Sequence, residues 1–446
     1  MEPYAVKRQI ETWQTLVHVC RRWRYLVFES PRRSNLELCC TPQTPVRDTL
    51  EVWPALPLLI KGDLAPKNTT DNVIAALGQS NRVSQVLLRI HSSQLEQVLT
   101  MHASTSFPEL TKLLLWSNET PPVIPDSFLG GSAPRLRFLN FDSIPFPGLP
   151  KLLLSATHLV DLCLHDIPHS GYFSPEAIVA SLSALSSLEI LYLKFRSPQS
   201  RPDQASRRPP PSKRSVLPTL YEFSFKGVTE YFEELVARID TPQLNRATIT
   251  FFNQIDFDCP QLAQFINCTP TLRGQDEAHV QFDDSTANVI LRHRTSEFDE
   301  IDFQKVWINI LCREPDWQLS SIEQVCNSLP PLSLVEGLYI EHQYSKPVWK
   351  NDAIENTLWL ELLLPFITVK NLYLSKEFAP GIAAALQELV GGGITDVLPS
   401  LQNIFMEGLD VSRSFQENIG QFLAARHLLD RPITISVWAG PSRYSN

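Results

Sequence analysis

Long apolar runs, C-x-x-C cysteine pairs and an excess of basic charge are all missing from this 446-residue chain, and each absence removes a class of protein. The longest apolar stretch, near Leu358–Ile367, falls short of the roughly 20 residues that cross a bilayer, and Met1 leads into Glu2, Pro3 and Tyr4 rather than an apolar leader. Neither a membrane protein nor a secreted one is expected. The cysteines (Cys20, Cys39, Cys40, Cys163, Cys259, Cys268, Cys312 and Cys326) show no C-x-x-C pair and no metal-ligand spacing. Reduced thiols fit that scatter, which points to the cytoplasm, the nucleus or both. The formal charge is −9, and residues 1–47 hold eight Lys/Arg against four Glu, which leaves −13 for the remainder. An acidic body is repelled by phosphate backbones, so no nucleic-acid partner is expected.

Catalytic signatures are equally scarce. Neither a G-x-S-x-G elbow nor an H-E-x-x-H helix occurs, and Gly391-Gly392-Gly393 lacks the Gly-Lys-Ser/Thr ending of a phosphate-binding loop. His165 and His169 stand four apart as helical metal ligands do, but Pro168 between them predicts a turn. No catalytic residue, metal ligand or cofactor is assigned, and an enzyme is not expected. An enzyme with unfamiliar motifs would need a deep polar pocket with clustered titratable groups.

What the chain does contain is a Leu-x-x-Leu-x-Leu pattern from near residue 110 onward. Clear copies are Leu110/Leu113/Leu115, Leu136/Leu139/Phe141, Leu159/Leu162/Leu164, Leu188/Leu191/Leu193, Leu220/Phe223/Phe225 and Leu244/Ala247/Ile249, starting 26, 23, 29, 32 and 24 residues apart. After a gap it resumes as Val335/Leu338/Ile340, Val369/Leu372/Leu374 and Leu401/Ile404/Met406, now 34 and 32 apart. Those periods match or slightly exceed leucine-rich repeats, in which a short strand is followed by a helical or irregular return. Segments such as Ala177–Leu185, Tyr231–Ile239, Leu358–Ile367, Gly381–Val390 and Glu417–Leu429 have helical apolar spacing between the strands. The predicted fold is therefore α/β, a leucine-rich-repeat-like curved solenoid, since one strand and helix bury their apolar faces only against neighbouring units. Residues 197–215, rich in Pro, Ser and Arg, are expected to form a disordered loop, and an irregular hairpin insertion is expected around 273–315.

The N-terminus reads ETWQTLVHVCRRWRYLVFESPRR from Glu11, with Leu16, Val19, Cys20 and Trp23 on one helical face. Periodicity alone allows a helix that simply caps the solenoid. Leu16-Val17-His18-Val19-Cys20-Arg21-Arg22-Trp23-Arg24 also resembles the C-terminal half of an F-box, and the segment that follows, through Ile60, is similar to F-box-like proteins of basidiomycete fungi that lead into a leucine-rich-repeat-like domain. That resemblance spans nearly the whole chain. It implies a substrate-recognition adaptor of a cullin–RING ubiquitin ligase, with Leu16, Val19, Cys20 and Trp23 docking on a Skp-type adaptor and the repeats holding the target protein. The family's Leu-Pro-x-Glu-type first helix does not stand before Glu11, where the sequence is MEPYAVKRQI, so the F-box is incomplete. The alternative is a leucine-rich-repeat interaction scaffold with no ligase attachment. The expected divisions are a partial F-box-like helical segment at 1–40, a connecting region at 41–80 and the repeat domain at 81–440.

Alternation within a strand turns the residues between the leucines outward, onto the concave face. Trp116, Phe138, His165, Tyr192, Tyr339, Tyr373 and Phe405 are the aromatic positions predicted there, and they are the candidate contacts for an unknown protein substrate.

Overall fold

The structure is a computed structural model that describes residues 20–22, 36–63, 69–119, 121–202, 214–293, 305–342, 354–408 and 413–438. Sixteen strands make one sheet. Its first seven are parallel and in chain order: β1 (Leu36–Cys40), β2 (Leu58–Asp63), β3 (Val83–Arg89), β4 (Lys112–Trp116), β5 (Phe138–Asp142), β6 (Asp161–Ile167) and β7 (Ile190–Phe195). Next, β8 (Ser215–Val216) pairs apart from the sheet with β10 (Ile239–Asp240), while β9 (Glu222–Gly227) and β11 (Arg246–Phe251) continue it. Then β12 (Glu277–Phe282), β13 (Thr286–Arg292) and β14 (Lys305–Leu311) run antiparallel to one another. Parallel pairing resumes with β15 (Gly337–His342), β16 (Asn371–Leu374), β17 (Asn403–Glu407) and β18 (Thr434–Trp438).

The repeated pattern explains this architecture residue by residue. In-register pairing lines up its second and third positions as two apolar columns, such as Leu113–Leu139–Leu162–Leu191 and Leu115–Phe141–Leu164–Leu193, all buried. The first position lies on a turn just ahead of each strand. In Phe107-Pro108-Glu109-Leu110, Ala133-Pro134-Arg135-Leu136 and Leu398-Pro399-Ser400-Leu401 the last N–H donates to the first carbonyl, with Pro at the second position, where its fixed φ suits a turn. Hydroxyls next to that first position tie successive units together. Thr219 Oγ1 donates to the carbonyls of Ser186 and Leu188, and Thr368 Oγ1 to those of Ser333 and Val335, all within 3.0 Å. Helices at Pro175–Leu182, Thr229–Val236, Asn356–Leu363, Ala379–Glu388 and Arg413–Leu428 fall within a few residues of the predicted segments. Alternating strands and helices in a long, mostly parallel sheet make the chain a leucine-rich-repeat-like solenoid.

The array begins earlier than the spacing predicts. Residues 41–80 are not a connection: Leu36–Cys40, inside the segment expected to be helical, is β1, and β2 joins it to β3 in parallel. These units hide because their columns end on Cys40 and Gly62 instead of leucine. A Cβ at Gly62 would lie 3.2 Å from Leu88 Cδ2, so the neighbouring leucine fills that place. The hairpin expected around 273–315 is present and interrupts the parallel order. Asp283 accepts from the N–H groups of Ser285 and Thr286 at 2.7 Å, a local turn that sends β13 back against β12, and both strands stay inside the sheet. Of the loop at 197–215, residues 203–213 lie outside the described residues, as do Leu16, Val19 and Trp23; Cys20 is exposed.

Neighbouring units also share polar groups. Glu233, on the helix Thr229–Val236, accepts the N–H groups of Gln261 and Leu262 at 2.7 and 2.8 Å, so it caps the next helix, Pro260–Cys268. Burial pushes this carboxyl up to about 7, against the pull of the two N–H donors. A folded-state value above the ordinary 4.5 means stability that is complete below 4.5 and is lost as pH rises through 7. Glu233→Gln removes this titration. The melting temperature of that variant should fall less than wild type between about pH 5 and 8, as a thermal-melt series will measure.

Candidate functional site

The sheet face turned away from the helices carries a line of residues, one per strand, set by register: Trp307, Ile290, His279, Tyr339, Tyr373 and Phe405. Four of these rings stack. His279 and Tyr339 have centroids 4.1 Å apart and planes 5° apart, Tyr339 and Tyr373 repeat the same values, and Tyr373 and Phe405 lie at 4.5 Å and 10°. Equivalent positions on paired parallel strands place similar side chains side by side, which is why the rings face one another. Their spacing is below the 4.7–4.9 Å between strands, so the rings lean together on this face. From β18, Trp438 stands edge-on to Tyr373 at 5.4 Å and to Tyr339 at 5.8 Å. His279 is buried, while Tyr339, Tyr373, Phe405 and Trp438 are half-buried, so their edges remain accessible.

A charged cluster anchors one end. Glu277 accepts from Tyr339 Oη at 3.3 Å and from Arg292 Nε at 3.1 Å, and it lies 3.8 Å from His279 Nε2. Burial opposes its charge, yet the His279 contact and the Arg292 guanidinium outweigh burial and hold the carboxyl down to about 2. Glu341 sits 3.4 Å from His279 Nδ1 and accepts from Gln281 Nε2 at 3.2 Å. Burial and the Glu277 carboxylate push the Tyr339 phenol well up, so it stays a neutral donor. The ladder's first ring is thus gripped between two carboxylates, which fixes its plane for the rings stacked on it.

All seven aromatic positions predicted from the alternation lie on this face or at its margin, but in four separate places. Tyr339, Tyr373 and Phe405 are in the ladder. His165 and Tyr192 meet edge-on at 5.6 Å, with Tyr192 Oη donating to Glu222 at 2.8 Å; burial, then Lys194, push the His165 imidazole down. Phe138 lies under Lys112 and Arg137, with each cation under 6 Å from the ring, and Trp116 ends β4 apart from the other groups.

No protein-family model matches this sequence, and no curated protein does. Among solved structures, the leucine-rich repeat-containing protein LegL7 from Legionella pneumophila aligns with 87% of this chain and 97% of its own, at 13% identity and a TM-score of 0.25. A likeness at that level leaves the repeat geometry itself as the basis for the fold.

His279, Trp438, Trp307 and Glu277 were not among the predicted site residues. The signal that would have found them is period-two alternation in Glu277–Phe282, Lys305–Leu311 and Thr434–Trp438, where no leucine triplet marks the strand. A polar cleft of about 460 Å³ lies elsewhere, on the helix side, with Glu230, Glu233, Glu234, Asp256 and Asp258 in its walls. Structural contacts engage it: Glu233 caps a helix, Glu230 lies 3.6 Å from Arg201, and Arg238 donates to Glu176. No helix among the described residues is long and apolar enough to cross a membrane.

Proposed function

We propose that this protein is a non-enzymatic interaction scaffold that holds a protein partner across the stacked aromatic ladder. The ladder is the observation that carries this reading. Tyr, Trp and Phe offer large contact areas with few rotatable bonds, so they dominate the centres of protein interfaces. Here five rings from five strands are already ordered by one another, which lowers the entropy cost of binding.

The finer form of this proposal is a substrate receptor for a cullin–RING ubiquitin ligase, acting in the cytoplasm or nucleus, with catalysis left to other subunits. Its support is the resemblance of Leu16–Arg24 to an F-box helix. Co-expression with a Skp-type adaptor tests it: association that survives purification and disappears in Leu16→Asp/Trp23→Asp is the expected result. If the adaptor never co-purifies, the receptor form fails and the free scaffold stands. Crosslinking in cells, followed by identification of proteins attached to wild type and absent from the ladder variant described in the Discussion, tests the scaffold itself.

A further inference from the structure

Among the described residues, β18 lies at one end of the sheet and pairs with β17 alone. Ile435 and Val437 of β18 align with Ile404 and Met406 in the two apolar columns, yet they are 42% and 52% exposed. Leu428 and Leu429, where the preceding helix ends, are 86% and 49% exposed. Exposed edge strands are normally blunted by charge or proline, and Thr434-Ile435-Ser436-Val437-Trp438 has neither.

Backbone geometry says what fits there. The N–H of Thr434 donates to Gln402 and the carbonyl of Trp438 accepts from Gly408, so the even-numbered residues of β18 face β17. The N–H and carbonyl groups of Ile435 and Val437 therefore point to the free side. We infer that β18 pairs antiparallel with β18 of a second copy of this chain, about a two-fold axis at Ser436. In that register Ile435 meets the partner's Val437 as a hydrogen-bonded pair, and so does the symmetric couple, which closes four backbone bonds and uses every outward group of the two residues. Ser436 faces its own copy as a non-hydrogen-bonded pair. The strand's pattern is self-complementary: the aliphatic side chains of both copies meet on the core face, and each apolar column continues into the partner. The four exposed apolar side chains amount to about 400 Å² per copy, half of the roughly 800 Å² that each partner of a standard interface buries.

The test is sedimentation of the full chain with two variants. Wild type is expected to be a dimer dissociating on the order of micromolar. Ile435→Lys/Val437→Lys, at positions already exposed, should be monomeric with an unchanged circular dichroism spectrum. Under mild oxidation Ser436→Cys should form a covalent dimer that wild type, despite its exposed Cys20, Cys39 and Cys268, does not. A wild-type monomer at every accessible concentration overturns the inference. So does a dimer that the lysine pair leaves intact, or one in which Ser436→Cys fails to crosslink.

Discussion

Tyr373→Ala should weaken partner binding by about 30- to 100-fold, the loss typical of truncating a central interface anchor. Tyr373 is the middle ring of the ladder, flanked by Tyr339 on one side and Phe405 on the other and touched edge-on by Trp438. Removing it takes away one contact and also frees three neighbouring rings, whose ordering the partner must then supply. The same change should cost the fold only about 1–2 kcal/mol, since each aromatic pair contributes about 0.5–1.5 kcal/mol and the site is half-exposed. Calorimetry against the crosslinked partner, with Trp116→Ala as a comparison outside the ladder, separates the two effects. Equal affinities for Tyr373→Ala and wild type would sink the ladder as the binding site.

Arg426→Ala should destabilise the C-terminal units by about 3 kcal/mol. Arg426 is fully buried on the helix Arg413–Leu428, and its guanidinium donates to the carbonyls of Ile394, Leu398, Pro399 and Leu401, each at 3.3 Å. Burial, helped by nearby Arg431, pushes its pKa down, but an arginine remains charged. Alanine would leave these carbonyls dry and open a void among them. Arg426→Lys should rescue little, because one ammonium on a flexible stem does not present a planar fork to four acceptors. Repeat arrays need not unfold all at once, so the measurement is amide exchange. Protection should fall in residues 394–438 and stay unchanged before residue 280. Uniform loss along the chain would show that the array unfolds as one unit instead.

Most of the core was legible because the solenoid repeats one local rule. Nine triplets from Leu110 to Met406 are buried, with their second and third residues in the columns, and the helical segments between them needed only a 3.6-residue period. The rule became invisible where packing substituted for leucine. Gly62 yields its place to Leu88, and in β12 the column positions are Ala278 and Val280. The site was partly legible for a different reason. Alternation tells which residues leave the core, so Tyr339, Tyr373 and Phe405 could be named, but stacking depends on which strands are neighbours. His279 belongs to the ladder only because β12, and not β14, lies beside β15, and that order follows from a turn at Asp283 reversing the chain.

This reversal bears on how such a chain is made and how it changes. In β1–β7 each strand emerging from a ribosome finds its neighbour already in place, so folding can keep pace with synthesis. At β12 it cannot, because the edge offered by β11 is reserved for β14, which is made last of the three. The three-stranded meander must assemble by itself and attach by its final strand, leaving β12 as the edge from which the second array grows. Gene duplication is constrained in the same way. A unit copied within β3–β7 adds one more rung between two parallel neighbours, whereas a strand added between β12 and β14 would have one parallel and one antiparallel neighbour.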